Sequence, residues 1–200
     1  MKYEIFISEK PTDGREIEEI KGIPVIRPVQ IHSSTVVFAG RRYSGRKGDA
    51  IVTDNRKVWV GVLSADCIPI LVVARGMVAA IHAGWRGTLK GITFKTLKYI
   101  QTFTDVQKII IGPGICNKCY EVGEDVYKLF NPHLRNRLFR PYGSKKYLFD
   151  LKKANTIQAK SAGVSVIEDL NLCTVCNNDR FYSFRKEKTE KRILSAIRLL

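Results

Sequence analysis

An apolar run, Met77-Val78-Ala79-Ala80-Ile81, passes through His82-Ala83-Gly84-Trp85-Arg86-Gly87 into a helix-like segment, Thr88 to Phe103. This junction constrains the chain more than any other feature. A strand that ends in a small-residue loop and runs on into a helix gathers loop side chains and free backbone N–H groups at one exposed point. Here that point carries an imidazole, an indole and a guanidinium. Apolar residues at Leu89, Ile92, Phe94, Leu97, Ile100 and Phe103 give the following segment one buried helical face.

The rest of the chain reads as short elements around this junction. Residues 1–8, 23–27 and 35–39 look like early strands. The β-branched runs Ala50–Thr53, Val58–Leu63, Ile68–Ala74 and Met77–Ile81 are separated by turn residues, with Asp54-Asn55 and Arg75-Gly76 as hairpin turns. Lys108–Ile111 reads as a buried strand ending at Gly112-Pro113-Gly114. Glu124–Phe130 reads as a short helix stopped at Asn131-Pro132, and Tyr147–Phe149 as a strand. Asp150 caps a helix that runs to Ser161 and closes at Gly163; Val164–Ile167 and Ile193–Leu200 read as strands. Without repeats or linkers, residues 1–200 are expected to form one α+β domain of mixed β-sheets flanked by helices.

A chain of 200 residues with 44% hydrophobic content can bury a full core. No apolar run approaches the ~20 residues needed to span a bilayer, and the first eight residues lack the features of a secretory signal. A cytoplasmic protein with no membrane partner is expected. The net charge of +15 is spread over scattered clusters such as Arg46-Lys47, Lys145-Lys146 and Lys152-Lys153. It reads as a basic surface, with attraction of phosphate-bearing ligands as the alternative and nucleic acid not expected.

Four of the five cysteines form two C-x-x-C pairs, Cys116/Cys119 and Cys173/Cys176; Cys67 stands apart beside Asp66. The 53 residues between the pairs exceed the ~15–20 of a zinc ribbon. Buried thiols, a Cys₄ metal site joined across the fold, and disulfides all remain open readings.

The chain has three histidines. His133 follows Asn131-Pro132 and reads as a surface residue. His32 and His82, with Cys67, make a His₂Cys set suited to zinc, leaving a fourth position open as catalytic sites require. Neither histidine is followed by the x-Glu of a cytidine-type deaminase, and Pro113 stands too far from Cys116 for its P-C-x-x-C, so that fold is excluded. Arg86 at a helix start suits a phosphate. Trp85 reads first as a core residue, with stacking on a base as the alternative.

Ala65-Asp66-Cys67, the His82–Gly87 motif, Gly112-Pro113 with Cys119-Tyr120-Glu121-Val122-Gly123, and Phe181-Tyr182-Ser183-Phe184-Arg185 occur here in the order found in the YfiH-like family, also called the laccase-domain or multicopper polyphenol oxidase family. The resemblance covers roughly residues 28–200. It implies the layered α+β fold of that family, a zinc site of His32, Cys67 and His82 (copper being the alternative metal), and a purine nucleoside enzyme. Such an enzyme would take a nucleoside and phosphate as partners, cleaving adenosine, inosine or methylthioadenosine by phosphorolysis and deaminating adenosine.

On this reading Glu121 and Asp66 are the acid–base candidates, with orientation of a ligand imidazole as the other role for Asp66. Arg86 and Arg46 would clamp phosphate. Gln30, Ser34, Tyr120 and Arg185 would contact substrate, and Tyr120 and Phe184 would wall the purine. The chain departs from the family in a shorter segment before Gly22, a more basic 41–48 loop, and Arg185-Lys186 in place of Arg-Arg. Competing readings are a copper polyphenol oxidase, a peptidoglycan-precursor editing hydrolase, a basic nucleic-acid-binding zinc module, and a hydrolase with Cys67 as nucleophile and His82 as base. The oligomeric state, monomer or homodimer, stays open.

Overall fold

The computed structural model describes residues 2–40, 43 and 45–200. Arg41, Arg42 and Ser44 of the basic loop lie outside them. β1 (Tyr3–Ile7), β2 (Glu19–Ile20), β3 (Ile23–Ile26) and β4 (Val36–Phe38) open the chain. β5 (Ala50–Thr53), β6 (Trp59–Ser64), β7 (Ile68–Ala74) and β8 (Met77–Ala83) follow, and these β-branched runs are buried almost throughout.

The segment after β8 departs from the expected single helix. It divides into α1 (Trp85–Leu89) and α2 (Ile92–Gln101), because Gly91 takes a left-handed conformation (φ +79°) between them. β9 (Val106–Ile111), β10 (Glu121–Gly123), α3 (Glu124–Leu129) and α4 (Pro132–Leu138) come next. α4 was not anticipated. Asn131-Pro132 starts this helix as well as ending α3: the Asn131 side chain accepts from the His133 N–H and proline occupies the first turn.

β11 (Phe139–Pro141), β12 (Lys146–Phe149), α5 (Leu151–Ser161), β13 (Ile167–Asp169), α6 (Phe184–Glu187) and β14 (Ile193–Leu199) complete the chain. β13 begins three residues later than its apolar run suggested. Val164 instead closes α5, its N–H bonded to the Ala159 carbonyl and its side chain in the core, while Ile167 is the residue in register with Ile109.

Three sheets result, flanked by helices: the five- and six-stranded sheets are mixed and the three-stranded one is antiparallel. One runs β13-β9-β7-β8-β5-β4, a second β1-β14-β6-β3-β2, and a three-stranded sheet runs β10-β12-β11. Strand alternation assigns the faces of the six-stranded sheet. Leu71, Val73, Val78 and Ala80 pack against Val60, Val62 and Ile197 of the five-stranded sheet. Ile68, Ile70, Val72, Ala79 and Ile81 face the other way, onto Ile92, Leu97 and Ile100 of α2 and Ala154 and Ala159 of α5. By the same alternation, Cys67 and His82 belong to the face turned toward the five-stranded sheet. Among the described residues no helix is long and apolar enough to cross a membrane.

Candidate active site

The ends of three neighbouring interior strands meet at one end of the six-stranded sheet. β7 and β8 are antiparallel, with Ile68 opposite Ala83 and Pro69 opposite His82. Cys67, one residue before β7, therefore comes beside Gly84, one residue after β8. A Cβ placed on Gly84 would lie 2.9 Å from Cys67 Sγ and 3.4 Å from His32 Cδ2, so only glycine leaves both side chains where they stand. On the other side of β8, Ala50 opposes Ile81, which brings Asp49 alongside His82; the His82 N–H donates to the Asp49 carbonyl at 2.7 Å.

Asp49 joins the two histidine-bearing segments. Its carboxylate receives His82 Nδ1 at 2.9 Å, the His32 N–H at 3.0 Å and the Ser33 hydroxyl at 2.7 Å, and it is fully buried. His32 is held at φ +55°, a left-handed conformation unusual for a side-chain-bearing residue, and the carboxylate under its N–H is what holds it there. Because Nδ1 of His82 is engaged by Asp49, its Nε2 is the nitrogen free for a ligand. Sequence reasoning assigned that supporting role to Asp66 and missed Asp49. The signal was weak: one acidic residue between Gly48 and a β-branched strand.

The candidate ligand atoms of His32, Cys67 and His82 all lie within 4.8 Å of one another, and the two rings meet edge to face at 4.9 Å between centroids. His32 is exposed, Cys67 half-buried and His82 buried. Burial opposes charge on Asp49, but the bonds from His82 and Ser33 prevail and bring its carboxyl down to about 2. Burial likewise opposes the Cys67 thiolate, yet the adjacent His82 charge and hydrogen bonds from both histidines lower it to about 6. Burial would lower His82; the Cys67 thiolate and Asp49 raise it to about 9 instead. The two shifts run in the same sense, toward an anionic sulfur beside a charged imidazole, whose proton a cation can replace. Two imidazoles and a thiolate in this arrangement fit zinc with an open fourth position.

The set opens into a cavity of about 500 Å³ lined by Gln30, Leu63, Ser64, Phe184, Arg15, Glu190 and Arg192, among others. Arg15, Glu190 and Arg192 were not foreseen; they come from the two chain ends, far from any motif. The Ser64 hydroxyl is buried there without a hydrogen-bond partner.

The remaining expected site residues are distributed as follows. Gln30 lines the cavity while its side-chain amide bonds the N–H and carbonyl of Leu63, which anchors the loop before His32 to β6. Ser34 accepts from Lys95 Nζ at 3.0 Å. Asp66 does not orient an imidazole: its carboxylate accepts from the Thr174 and Ser183 hydroxyls and the Arg185 N–H, at 2.6–2.7 Å, fastening the Cys67 loop to the C-terminal segment. Glu121 pairs with Lys146 at 2.8 Å and does not line the cavity. Arg185 Nη2 donates to the Glu121 carbonyl and its guanidinium lies 5.6 Å from the Tyr120 ring centre, while Tyr120 stacks on Phe149.

Burial and the Cys67 charge push the Tyr120 phenol up, against the pull of Arg185 and Arg86. Arg86 is exposed and folds over the Trp85 ring at 4.4 Å. Trp85 is half-buried against the core, and α1, with five residues, is too short to supply an anion site by itself. Arg46 is exposed and, like Arg86, does not line the cavity.

A family profile described as multi-copper polyphenol oxidoreductase laccase matches residues 15–200. A purine nucleoside phosphorylase of Aquifex aeolicus is 33% identical over 175 residues, spanning 86% of this chain and 82% of that protein. An adenosine deaminase, RL5, from an unknown prokaryotic organism is 32% identical over 184 residues, spanning 81% and 70% of the two chains. The crystal structure of YfiH from Bacillus licheniformis superposes with a TM-score of 0.80 at 26% identity, over 88% of this chain and 74% of that one.

Proposed function

The chain belongs to the YfiH-like, laccase-domain family, and from that premise we propose that it is a metal-dependent enzyme acting on purine nucleosides. The observation that carries this reading is the convergence of His32, Cys67 and His82 at the floor of a nucleoside-sized cavity, with Asp49 beneath His82. The relatives named purine nucleoside phosphorylase and adenosine deaminase point to the two reactions: phosphorolysis of the glycosidic bond and removal of the purine amino group.

Zinc in such a three-ligand site acidifies water toward neutral pKa and polarises an oxygen it touches. The chain's own residues do the rest. Asp49 fixes His82 and the His32 loop, so the donors are arranged before any metal arrives. Cys67 acts as a ligand, its thiolate flanked by both imidazoles. Phe184 offers a ring face for the purine. Arg15 and Arg192 replace Arg46 and Arg86 as the guanidiniums at the cavity, suited to phosphate oxygens or ribose hydroxyls. Glu190, the carboxylate that lines the cavity, takes over the proton-handling role first sought in Glu121 and Asp66. Three histidines in the whole chain cannot furnish the imidazoles of a multicopper centre, which weighs against the phenol oxidase reading.

The test is a product assay with adenosine, with and without phosphate. Inosine marks deamination, and adenine formed only with phosphate marks phosphorolysis. If metal-replete protein forms neither product, the proposal is overturned.

A further inference from the structure

Two turns far apart in the chain bring four thiols together outside the cavity. Cys116 and Cys119 bracket the turn after β9, where the Cys119 and Tyr120 N–H groups both return to the Cys116 carbonyl at 3.1 Å. Cys173 and Cys176 bracket a second turn after β13, closed by the Asn177 N–H on the Cys173 carbonyl at 2.8 Å. All four sulfurs lie within 4.8 Å of one another. We infer that Cys116, Cys119, Cys173 and Cys176 form a second, closed metal site that binds one zinc ion as a structural tetrathiolate.

The spacing carries the inference. Zinc–sulfur bonds of about 2.3 Å in a tetrahedron put the sulfurs ~3.8 Å apart. Cys119 and Cys176, contributed by different turns, stand 3.6 Å apart, against the ~2.05 Å of a disulfide. The Cys116 N–H points at Cys173 Sγ at 3.4 Å, a backbone donor of the kind that supports an anionic sulfur. Binding would release the thiol protons to solvent, with no oxidation of the sulfurs.

The site also has something to hold. The first turn continues from Gly114 and Ile115, and the Ile115 N–H donates to the Asp66 carbonyl at 2.8 Å. The second turn carries Thr174, whose hydroxyl is on the Asp66 carboxylate. A metal joining the turns closes a ring of contacts around Asp66, the residue next to Cys67. Its role is to fix that loop, and it offers no open position for substrate.

Elemental analysis of the protein expressed with zinc should give two equivalents per chain. The double variant Cys119→Ser/Cys176→Ser should retain one, and its Tm should fall by roughly 5–10 °C. The variant His32→Ala/Cys67→Ala should retain the other. Zinc X-ray absorption on this second variant needs no change to the four thiols, so it stands even if the first variant fails to fold. Four sulfur neighbours at about 2.3 Å are expected. Nitrogen or oxygen neighbours, an iron content in place of zinc, or an intact mass lower by the hydrogens lost to disulfides would each overturn the inference. None of these readings depends on whether adenosine is a substrate.

Discussion

Two sulfur-bearing clusters meet at the Asp66-Cys67 loop, one through Cys67 and the other through contacts to Asp66, and they are built in opposite ways. The His32–Cys67–His82 set hangs from the ends of core strands: the registers of β7 on β8 and of β5 on β8 fix where Cys67, His82 and Asp49 fall. The four-cysteine set lies on two turns that are themselves outside any strand. The first mixes imidazole with thiolate, leans on a buried carboxylate and opens into a cavity. The second offers four thiols and no vacancy. A strand-built scaffold with an incomplete donor set suits chemistry, whereas a complete set shared between two separate turns suits an ion that ties them together.

The sharpest way to break this contrast is to remove one donor from the first cluster and two from the second. Cys67→Ala should lower kcat/KM for adenosine more than ~100-fold and leave the fold and one zinc equivalent in place. Cys119→Ser/Cys176→Ser should act chiefly through stability, with a much smaller change in turnover measured well below its Tm. If the two variants lost activity equally at low temperature, the division into an open and a closed site would fail.

Asp49→Asn tests the carboxylate alone. The amide keeps the shape but loses the charge that pairs with His82, so metal affinity and turnover should fall by ~10–100-fold, as is usual when the partner of a ligand imidazole is changed. Competition against a chromogenic chelator gives the affinity directly. Among the described residues no carboxylate is hydrogen-bonded to the four thiols, and the same assay on their metal should show no response to this substitution.

The two clusters were unequally legible in the amino-acid sequence. His82 and Cys67 stand at the ends of β-branched runs whose boundaries the turn residues mark, so their place at strand ends could be read directly. Asp49 could not, because its meeting with His82 depends on which strand lies beside β8, and cross-strand register is not written in local pattern. For the same reason Arg15, Glu190 and Arg192 went unseen, while Arg46 and Arg86, read as a phosphate clamp, do not line the cavity. The C-x-x-C pairs were visible as pairs, yet their meeting across 53 residues depends on β13 lying parallel to β9. α2 began later than periodicity alone indicated, since a helical face continues in pattern through Gly91 even though its backbone does not.

Gly84→Ala probes how tightly the open site is packed. Gly84 has φ −74°, so alanine brings no backbone strain and the effect reports the contacts with Cys67 Sγ and, less closely, the His32 ring. A displaced sulfur should cost ~10-fold or more in turnover, with little change in Tm. A variant of full activity would mean that the donor set adjusts freely, contrary to a scaffold fixed by strand register.

The smallest effect concerns the wall of the cavity. Glu187 at the end of α6 accepts from Lys10 Nζ at 2.6 Å, Asn178 Nδ2 at 2.9 Å and the Ser183 N–H at 3.0 Å, closing the turn that carries Phe184. Burial opposes its charge, but the Lys10 bond and the Ser183 and Asn178 donors together prevail and lower its carboxyl to about 2 from an ordinary 4.5. A carboxyl depressed in the folded state contributes stability that is full above pH 4.5 and is lost as pH falls through about 2. Glu187→Gln should therefore lower Tm slightly at pH 6, and the gap from the parent should close as pH is taken down toward 2. Exposure to solvent keeps this gap small, a few degrees at most. A gap that stayed constant with pH would show that the turn is held by shape alone, and the Phe184 wall would then owe nothing to the charge beneath it.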